Sequence, residues 1–180
     1  QMCIRDSGSA IPKFTYGITL NLEYKGFDFT AFGTGVAGNK IFNILYRADS
    51  PLRNSLKYYM DNAWTPENKG ASMPAVNNVA TDLNFWSSSA AMFNGSYFKI
   101  KQLQLGYTLP KRLTQKVAIK DLRFFVSLDD FFTFSNYPGM DPETATTGNN
   151  GGAGFDIGSY PTMKKCSSVS YTHLRAHETL

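Results

Sequence analysis

The sequence predicts an all-β protein with the strands of an antiparallel transmembrane β-barrel, too few to close and so an open curved sheet in isolation. Three observations predict it. Long stretches alternate apolar and polar residues with period two, which marks strands with one apolar face. Short and long connections between these stretches alternate strictly, as in outer-membrane barrels, whose turns are short on one side and loops long on the other. The composition is poor in charge and rich in aromatics, with 18% charged residues, 14 Phe and 10 Tyr among 180; soluble domains carry about 25% charged residues. No run approaches about 18 consecutive apolar residues, which excludes a membrane-crossing helix.

The first strand is Phe14–Tyr24 (FTYGITLNLEY). Phe14, Tyr16, Ile18, Leu20, Leu22 and Tyr24 fall on one face, and Thr15, Gly17, Thr19, Asn21 and Glu23 on the other. Lys25-Gly26 makes a tight turn, and residues 27–36 (FDFTAFGTGV) return as the second strand. A long, polar insertion runs from about Ala37 to Gly95. Within it the sequence predicts a short helix from Pro51 to Ala63, with Ser50 as N-cap and Pro51 at the first helical position. Ser96–Leu109 (SYFKIKQLQLGYTL) is the third strand. Its apolar phase switches from even (Phe98, Ile100) to odd (Leu103, Leu105, Tyr107), so one inserted residue, a β-bulge, is expected near Lys101-Gln102. A short basic connection follows Pro110, and Leu122–Phe134 (LRFFVSLDDFFTF) is the fourth strand. A second long loop, Ser135–Ser159, leads to Tyr160–Lys165, read as the start of a fifth strand.

Strands of this length exceed the usual globular mode of about 5–6 residues and suit a tilted span of about 9–11 within hydrocarbon. The aromatics Phe14, Tyr16, Tyr24, Phe27, Tyr107, Phe132 and Phe134 lie near strand ends, where barrels carry their aromatic girdles. The competing reading from pattern alone is a soluble β-sandwich whose core takes the same apolar faces.

The two ends do not continue the pattern. Gln1–Ser7 (QMCIRDS) and Cys166–Leu180 (CSSVSYTHLRAHETL) look like translated sequencing-adapter sequence, so both tails are read as non-native and set outside the fold, which leaves 8–165 as the barrel segment. Both cysteines and both histidines (Cys3, Cys166, His173, His177) lie in these tails. His173 and His177 are spaced i, i+4, which on a helix would face both imidazoles to one zinc, but the intervening Glu and a third ligand are missing. The formal net charge is +4 and is the same without the tails.

Several stretches together resemble the late barrel strands of SusC/RagA-type TonB-dependent outer-membrane receptors: Pro12–Asn43, Trp64–Asn68 (WTPEN), Gly95–Pro110 (GSYFKIKQLQLGYTLP), Leu122–Phe134 with Tyr137–Glu143 (YPGMDPE), and Gly158–Pro161 (GSYP). The matches come in the family's order and cover nearly all of Gly8–Lys165. The resemblance implies a 22-stranded barrel with an N-terminal plug in the cell outer membrane of Bacteroidota, of which this chain carries about the last five strands. It implies nutrient uptake: import of a glycan (oligosaccharide) or peptide substrate, with a SusD-like surface lipoprotein as partner and energy delivered by the TonB complex through an N-terminal region that this chain lacks. The fragment itself would not be transport-competent. Membrane lipid is the remaining expected partner, and no nucleic acid and no cofactor are expected. Two departures stand out: Asp129-Asp130 is acidic where the family carries a small residue or Asn, and the expected aromatic-ended last strand runs into the tail. From a different class, the alternative is a secreted β-sandwich glycan-binding module.

No catalytic set is expected, and the chain is read as no enzyme. Asp129 and Asp130 are adjacent on a strand, point to opposite faces and cannot act as a paired acid and base. Asp141, Glu143, Asn149, Asn150 and Asp156 are oxygen-rich enough for Ca²⁺, but their spacing fits no EF-hand, and turn chemistry accounts for them equally well; no metal site is assigned. Lys111, Arg112, Lys116, Lys120 and Arg123 form a basic run without the interleaved aromatics of a nucleic-acid platform, read as a solvated turn. Trp64, Phe85 and Trp86 lie in the first long loop. Trp64 is read as loop packing, and Trp86 is the one ligand-contact candidate, since aromatic faces stack on sugar rings as on other flat apolar surfaces.

Overall fold

The computed structural model describes residues 8–43, 56–73, 75, 89–114, 119–147 and 152–174. The chain divides into two compact units. One comprises Tyr16–Gly35, Phe98–Phe134 and Met163–Leu180; the other comprises Gln1–Thr15, Val36–Tyr97 and Ser135–Thr162.

The first unit is built on a five-stranded sheet of β1 (Phe14–Tyr24), β2 (Phe27–Ala37), β5 (Tyr97–Thr108), β6 (Ile119–Ser135) and β8 (Lys165–Leu174), in that spatial order. The order is sequential, so the sheet is a meander of neighbouring strands. Lys25 (φ 46°) and Gly26 (φ 87°) both take positive φ at the β1–β2 turn, the conformation a two-residue I′ hairpin demands. Gly26 is needed there for a second reason: a Cβ would lie 2.8 Å from the Thr108 carbonyl oxygen.

The expected bulge is visible in which side chains meet. Phe98 stacks on Tyr16, with ring centroids 6.1 Å apart, and Tyr107 packs on Phe27 at 4.4 Å. Tyr16 also reaches over Gly35, which shares the odd face of β2 with Phe27. Phe98 and Tyr107 therefore lie on one face although nine residues apart, an odd separation that a regular strand would send to opposite faces. The close approach of Phe98 needs Gly33, where a Cβ would sit 2.6 Å from its ring.

The apolar face of this sheet is open. Ile18, Leu20, Leu22, Phe124 and Val126 are 45–58% exposed, where a soluble sandwich would bury them. Among the described residues no helix is long and apolar enough to cross a membrane, which says nothing of strands.

The second unit departs from the expected loops. The insertion after β2 contains β3 (Lys40–Asn43), α1 (Lys57–Asp61), a 3₁₀ turn (Ser89–Ala91) and β4 (Met92–Asn94). A four-residue helix, α2 (Lys111–Thr114), lies in the β5–β6 connection of the first unit. The connection after β6 holds α3 (Pro142–Thr147) and β7 (Phe155–Asp156). β3 pairs antiparallel with β4 and parallel with β7, so the middle strand of this small sheet is β3. Tyr59, Met73 and Ala91 form one buried cluster with Phe93 against it, and Ile41, Tyr137 and Ala145 form another that Phe93 also touches. The expected helix over Pro51–Ala63 is shorter: α1 begins after Leu56, which makes no side-chain cap, and Ser50 and Pro51 lie outside the described residues.

The fifth strand also differs. It is Lys165–Leu174, not Tyr160–Lys165, and residues 166–174 of the C-terminal tail pair with Ile119–Leu128 of β6. The physical reason is that an unpaired sheet edge presents a row of N–H and C=O groups that any nearby extended segment can satisfy. SSVSYTHL is rich in residues that tolerate that conformation. Its own alternation places Val169 and Tyr171 on one face and Ser168, Ser170 and Thr172 on the other.

Candidate functional site

Two polar constructions stand out, one in each unit. The first lies on the polar face of the five-stranded sheet. Asp28 on β2 and Arg123 on β6 form a two-point ion pair across the intervening β5: Arg123 Nε donates to Asp28 Oδ1 at 3.1 Å, and Nη2 donates to Oδ2. The pair can cross because β5 offers Gly106 at that level; a Cβ there would lie 2.5 Å from the Asp28 carboxylate oxygens. Asn21, Glu23, Asp28, Thr30, Thr108 and Arg123 line a concavity of about 750 Å³ beside the Lys25-Gly26 turn. Farther along the strands Lys101 pairs with Asp130 at 3.1 Å, and Ser127 Oγ donates to Asp129 at 2.7 Å. Asp129 and Asp130 thus have separate partners, and Asp130 takes positive φ (55°). Arg123, read in the sequence as part of a basic run, is a strand residue held by Asp28. Lys111 and Arg112 sit on α2, and Lys116 lies outside the described residues.

The second construction ties together residues far apart in sequence. Asn43 Nδ2 donates to Tyr137 Oη at 2.9 Å, and Tyr137 Oη donates to Asp156 Oδ2. The other Asp156 oxygen accepts from the Gly158 N–H at 2.9 Å. Asn39 Nδ2 donates to Thr146 Oγ1 at 2.9 Å, and Thr146 Oγ1 donates to the Pro142 carbonyl. Asn39, Asn43, Tyr137 and Asp156 are all buried. Burial first, and then the bond to Asp156, raise the Tyr137 pKa above the ordinary tyrosine value, so the hydroxyl stays a donor. Gly139 is required beneath the ring, where a Cβ would lie 2.3 Å from Tyr137.

Asp141 caps α3. Its Oδ1 accepts from the Glu143 N–H at 3.0 Å, and its Oδ2 accepts from Thr162 N–H and Oγ1 at 3.0 and 2.8 Å. With Pro142 at the first helical position this is an N-cap. The oxygens of Asp141 and Asp156 are thus committed to N–H and O–H donors, and among the described residues no group of three or more ligating side chains could hold a metal. Asn149 and Asn150 lie outside the described residues. In WTPEN the Asn68 N–H bonds both Thr65 O and Thr65 Oγ1, so that motif is turn chemistry. Trp64 is held by its backbone, its N–H donating to Met73 O at 3.0 Å, while its side chain is 45% exposed. Phe85 and Trp86, the ligand-contact candidate, lie outside the described residues. His173 lies on a strand, so the helical spacing to His177 is not present there.

Sequence reasoning missed Asn39, Asn43, Thr146 and Thr162, and missed that Asp28 and Arg123 are partners. No local pattern marks a bond between residues 94 or 107 positions apart; the available signal was two Asn flanking an apolar pair in a polar insertion.

No family model matches the chain. TonB-dependent receptor P3 of Formosa agariphila is 34% identical over 165 residues, covering 87% of this chain and 16% of that protein. The chain is homologous to a segment of TonB-dependent receptors. Receptor P26 of the same organism is 27% identical over 163 residues, with the same shares covered. The chain thus spans about one sixth of the length of these curated TonB-dependent receptors. Among solved structures, the RagAB peptide importer in its open-open state aligns with a TM-score of 0.72 at 23% identity, over 94% of this chain and 18% of that one. The RagAB peptide transporter aligns with a TM-score of 0.69 at 25% identity, over 91% and 18%. The fold resembles that of a β-barrel receptor segment, and the sheet is open in isolation.

Proposed function

We propose that the chain forms part of the wall of an outer-membrane TonB-dependent importer of peptides or oligosaccharides, of the RagA/SusC kind. The carrying observation is the two-faced sheet. Ile18, Leu20, Leu22, Phe124 and Val126 stand exposed on one side, as a lipid-facing surface would, while the Asp28–Arg123 pair and its neighbours form an aqueous lining on the other. The buried Tyr137–Asp156–Asn43 cluster fixes the folded part of the two long connections. The likeness to a peptide importer supports a peptide as cargo, and a SusD-like lipoprotein as partner follows by the same analogy. TonB coupling requires a region outside these 180 residues, so the segment alone transports nothing and catalyses nothing. Residues 1–7 and 166–180 are read as non-native tails.

The test is the DNA upstream of Gly8 in the same genome. This reading expects several hundred residues of further alternating strands preceded by a plug domain. A signal peptide immediately before Gly8 contradicts it and supports a secreted sandwich instead.

A further inference from the structure

The two short connections of the five-stranded sheet lie side by side at one end. Thr108 N–H donates to the Gly26 carbonyl at 2.7 Å, and Leu109 N–H donates to the Leu122 carbonyl at 2.9 Å. The Lys25-Gly26 turn and the β5–β6 connection with α2 therefore meet there. Together they carry the cations Lys25, Lys111, Arg112 and Lys120, all exposed. Among the described residues none of these has a carboxylate partner. The neighbouring anions are committed or turned away. Asp28 is taken by Arg123, and Glu23 and Asp121 share the odd phase of Asn21 and Arg123 on the polar face.

Just inside this end the apolar face turns aromatic. Tyr24 and Phe27 are 69% and 52% exposed, and Phe27 packs on Tyr107 at 4.4 Å. Lys25 Nζ stands 5.1 Å from the centre of the Tyr24 ring, a cation over an aromatic face. Leu113, beside Arg112 on α2, is 57% exposed. Along the face the order is aliphatic (Leu20, Leu22), then aromatic, then cationic. A bilayer presents acyl chain, interface and phosphate in that same order. A merely solvated turn needs no aromatic shelf beneath its cations.

We propose that Lys25, Lys111, Arg112 and Lys120 form a binding site for the phosphate headgroup of an anionic phospholipid. Tyr24, Phe27 and Leu113 lie against the upper part of its acyl chains. Short turns mark the periplasmic side of such barrels, so the lipid belongs to the leaflet on that side. Cations clustered at a membrane surface hold anionic lipid by charge, and salt screens the attraction. The proposal deepens the lipid-facing reading of the sheet and rests on it.

The test uses the full-length receptor with a fluorophore on a single cysteine, at Leu22→Cys near this end or at Ile18→Cys farther along the same face. It is reconstituted into phosphatidylcholine vesicles containing nitroxide-labelled phosphatidylglycerol or, separately, nitroxide-labelled phosphatidylcholine. At position 22 the labelled phosphatidylglycerol should quench at about one-fifth of the mole fraction that labelled phosphatidylcholine requires, the preference expected from the charge of one cation. At position 18 the two lipids should quench alike. Replacing Lys25, Lys111, Arg112 and Lys120 with Gln, or raising salt to about 1 M, should abolish the preference at position 22 and leave quenching by phosphatidylcholine unchanged. Equal quenching by both lipids at position 22 in the unaltered receptor overturns the headgroup site and leaves the membrane reading intact. A preference that survives the four Gln replacements overturns its assignment to these residues. Absence of quenching by either lipid at both positions overturns the membrane reading, and the proposal with it.

Discussion

Tyr137→Phe isolates the loop cluster, because it keeps the ring and removes only the hydroxyl. The lost hydroxyl donates to Asp156 and accepts from Asn43, and both partners are buried, at 4% and 0% exposure. A hydrogen bond to a charged group contributes about 1.5–3 kcal/mol, and a buried partner left unsatisfied adds its desolvation cost. Asp156 keeps its bond from the Gly158 N–H, so the expected loss is about 2–3 kcal/mol. The ring's packing against Ile41 and Ala145 is unchanged, which removes a cavity term from the comparison. The reporters are the backbone bonds Phe42 N–H to Gly154 C=O at 2.7 Å and Gly154 N–H to Ala145 C=O at 3.0 Å, both beside the cluster. Amide exchange at Phe42 and Gly154, measured on the chain in detergent micelles, should accelerate by about 30- to 150-fold, the equivalent of that energy at 1.4 kcal/mol per tenfold. Asp156→Asn should cost less in the Tyr137→Phe background than alone, since the two share one bond. Unchanged exchange, or costs that simply add, would refute the cluster as the element that holds the two long connections together.

Other expectations follow from the same structure. The Tyr137 pKa is raised in the folded state, so its contribution is fully present below the unfolded tyrosine value of about 10 and is lost as pH climbs past it toward the folded value. Amide exchange at Gly154 should therefore rise above that pH in the parent and lose this dependence in Tyr137→Phe. Gly106→Ala should drive Asp28 off Arg123, at a cost of about 1 kcal/mol because both side chains keep some solvent; a denaturant series should show the Asp28→Asn and Arg123→Gln coupling vanish in that background, and an unchanged coupling would argue against the steric account. Calcium or a chelator should leave exchange at Glu143 and Thr162 unaltered, because Asp141 already spends its oxygens on their N–H and O–H groups.

Much of the five-stranded sheet was legible because period-two patterning is a local property. Phe14–Tyr24 declares its faces residue by residue, Lys25-Gly26 announces its turn, and the switch of phase between Ile100 and Leu103 located a bulge that the contacts of Phe98 and Tyr107 display. The second unit was not legible. β3 has four residues and β7 two, too short for any periodicity, and what joins them is a set of buried polar bonds between distant positions. The motif YPGMDPE marked the right place, since Tyr137 and Asp141 are its structural residues, but not their partners. Asp28 and Arg123 were hidden for the same reason: their meeting depends on strand order and on a missing side chain at Gly106. β8 was misplaced because pairing at an edge answers to backbone groups, and the tail's serines and threonines offered them without an apolar face to give warning.

The central claim is that one face of the sheet meets lipid and the other meets water. It is tested most directly by a cysteine scan over Ile18, Thr19, Leu20, Asn21, Leu22 and Glu23 in the full-length receptor embedded in its membrane. Each position is labelled with a fluorophore and read against nitroxide-bearing lipid. The account predicts quenching at 18, 20 and 22 and none at 19, 21 and 23, a period of two matching the strand. A flat profile, or quenching in the opposite phase, would contradict it.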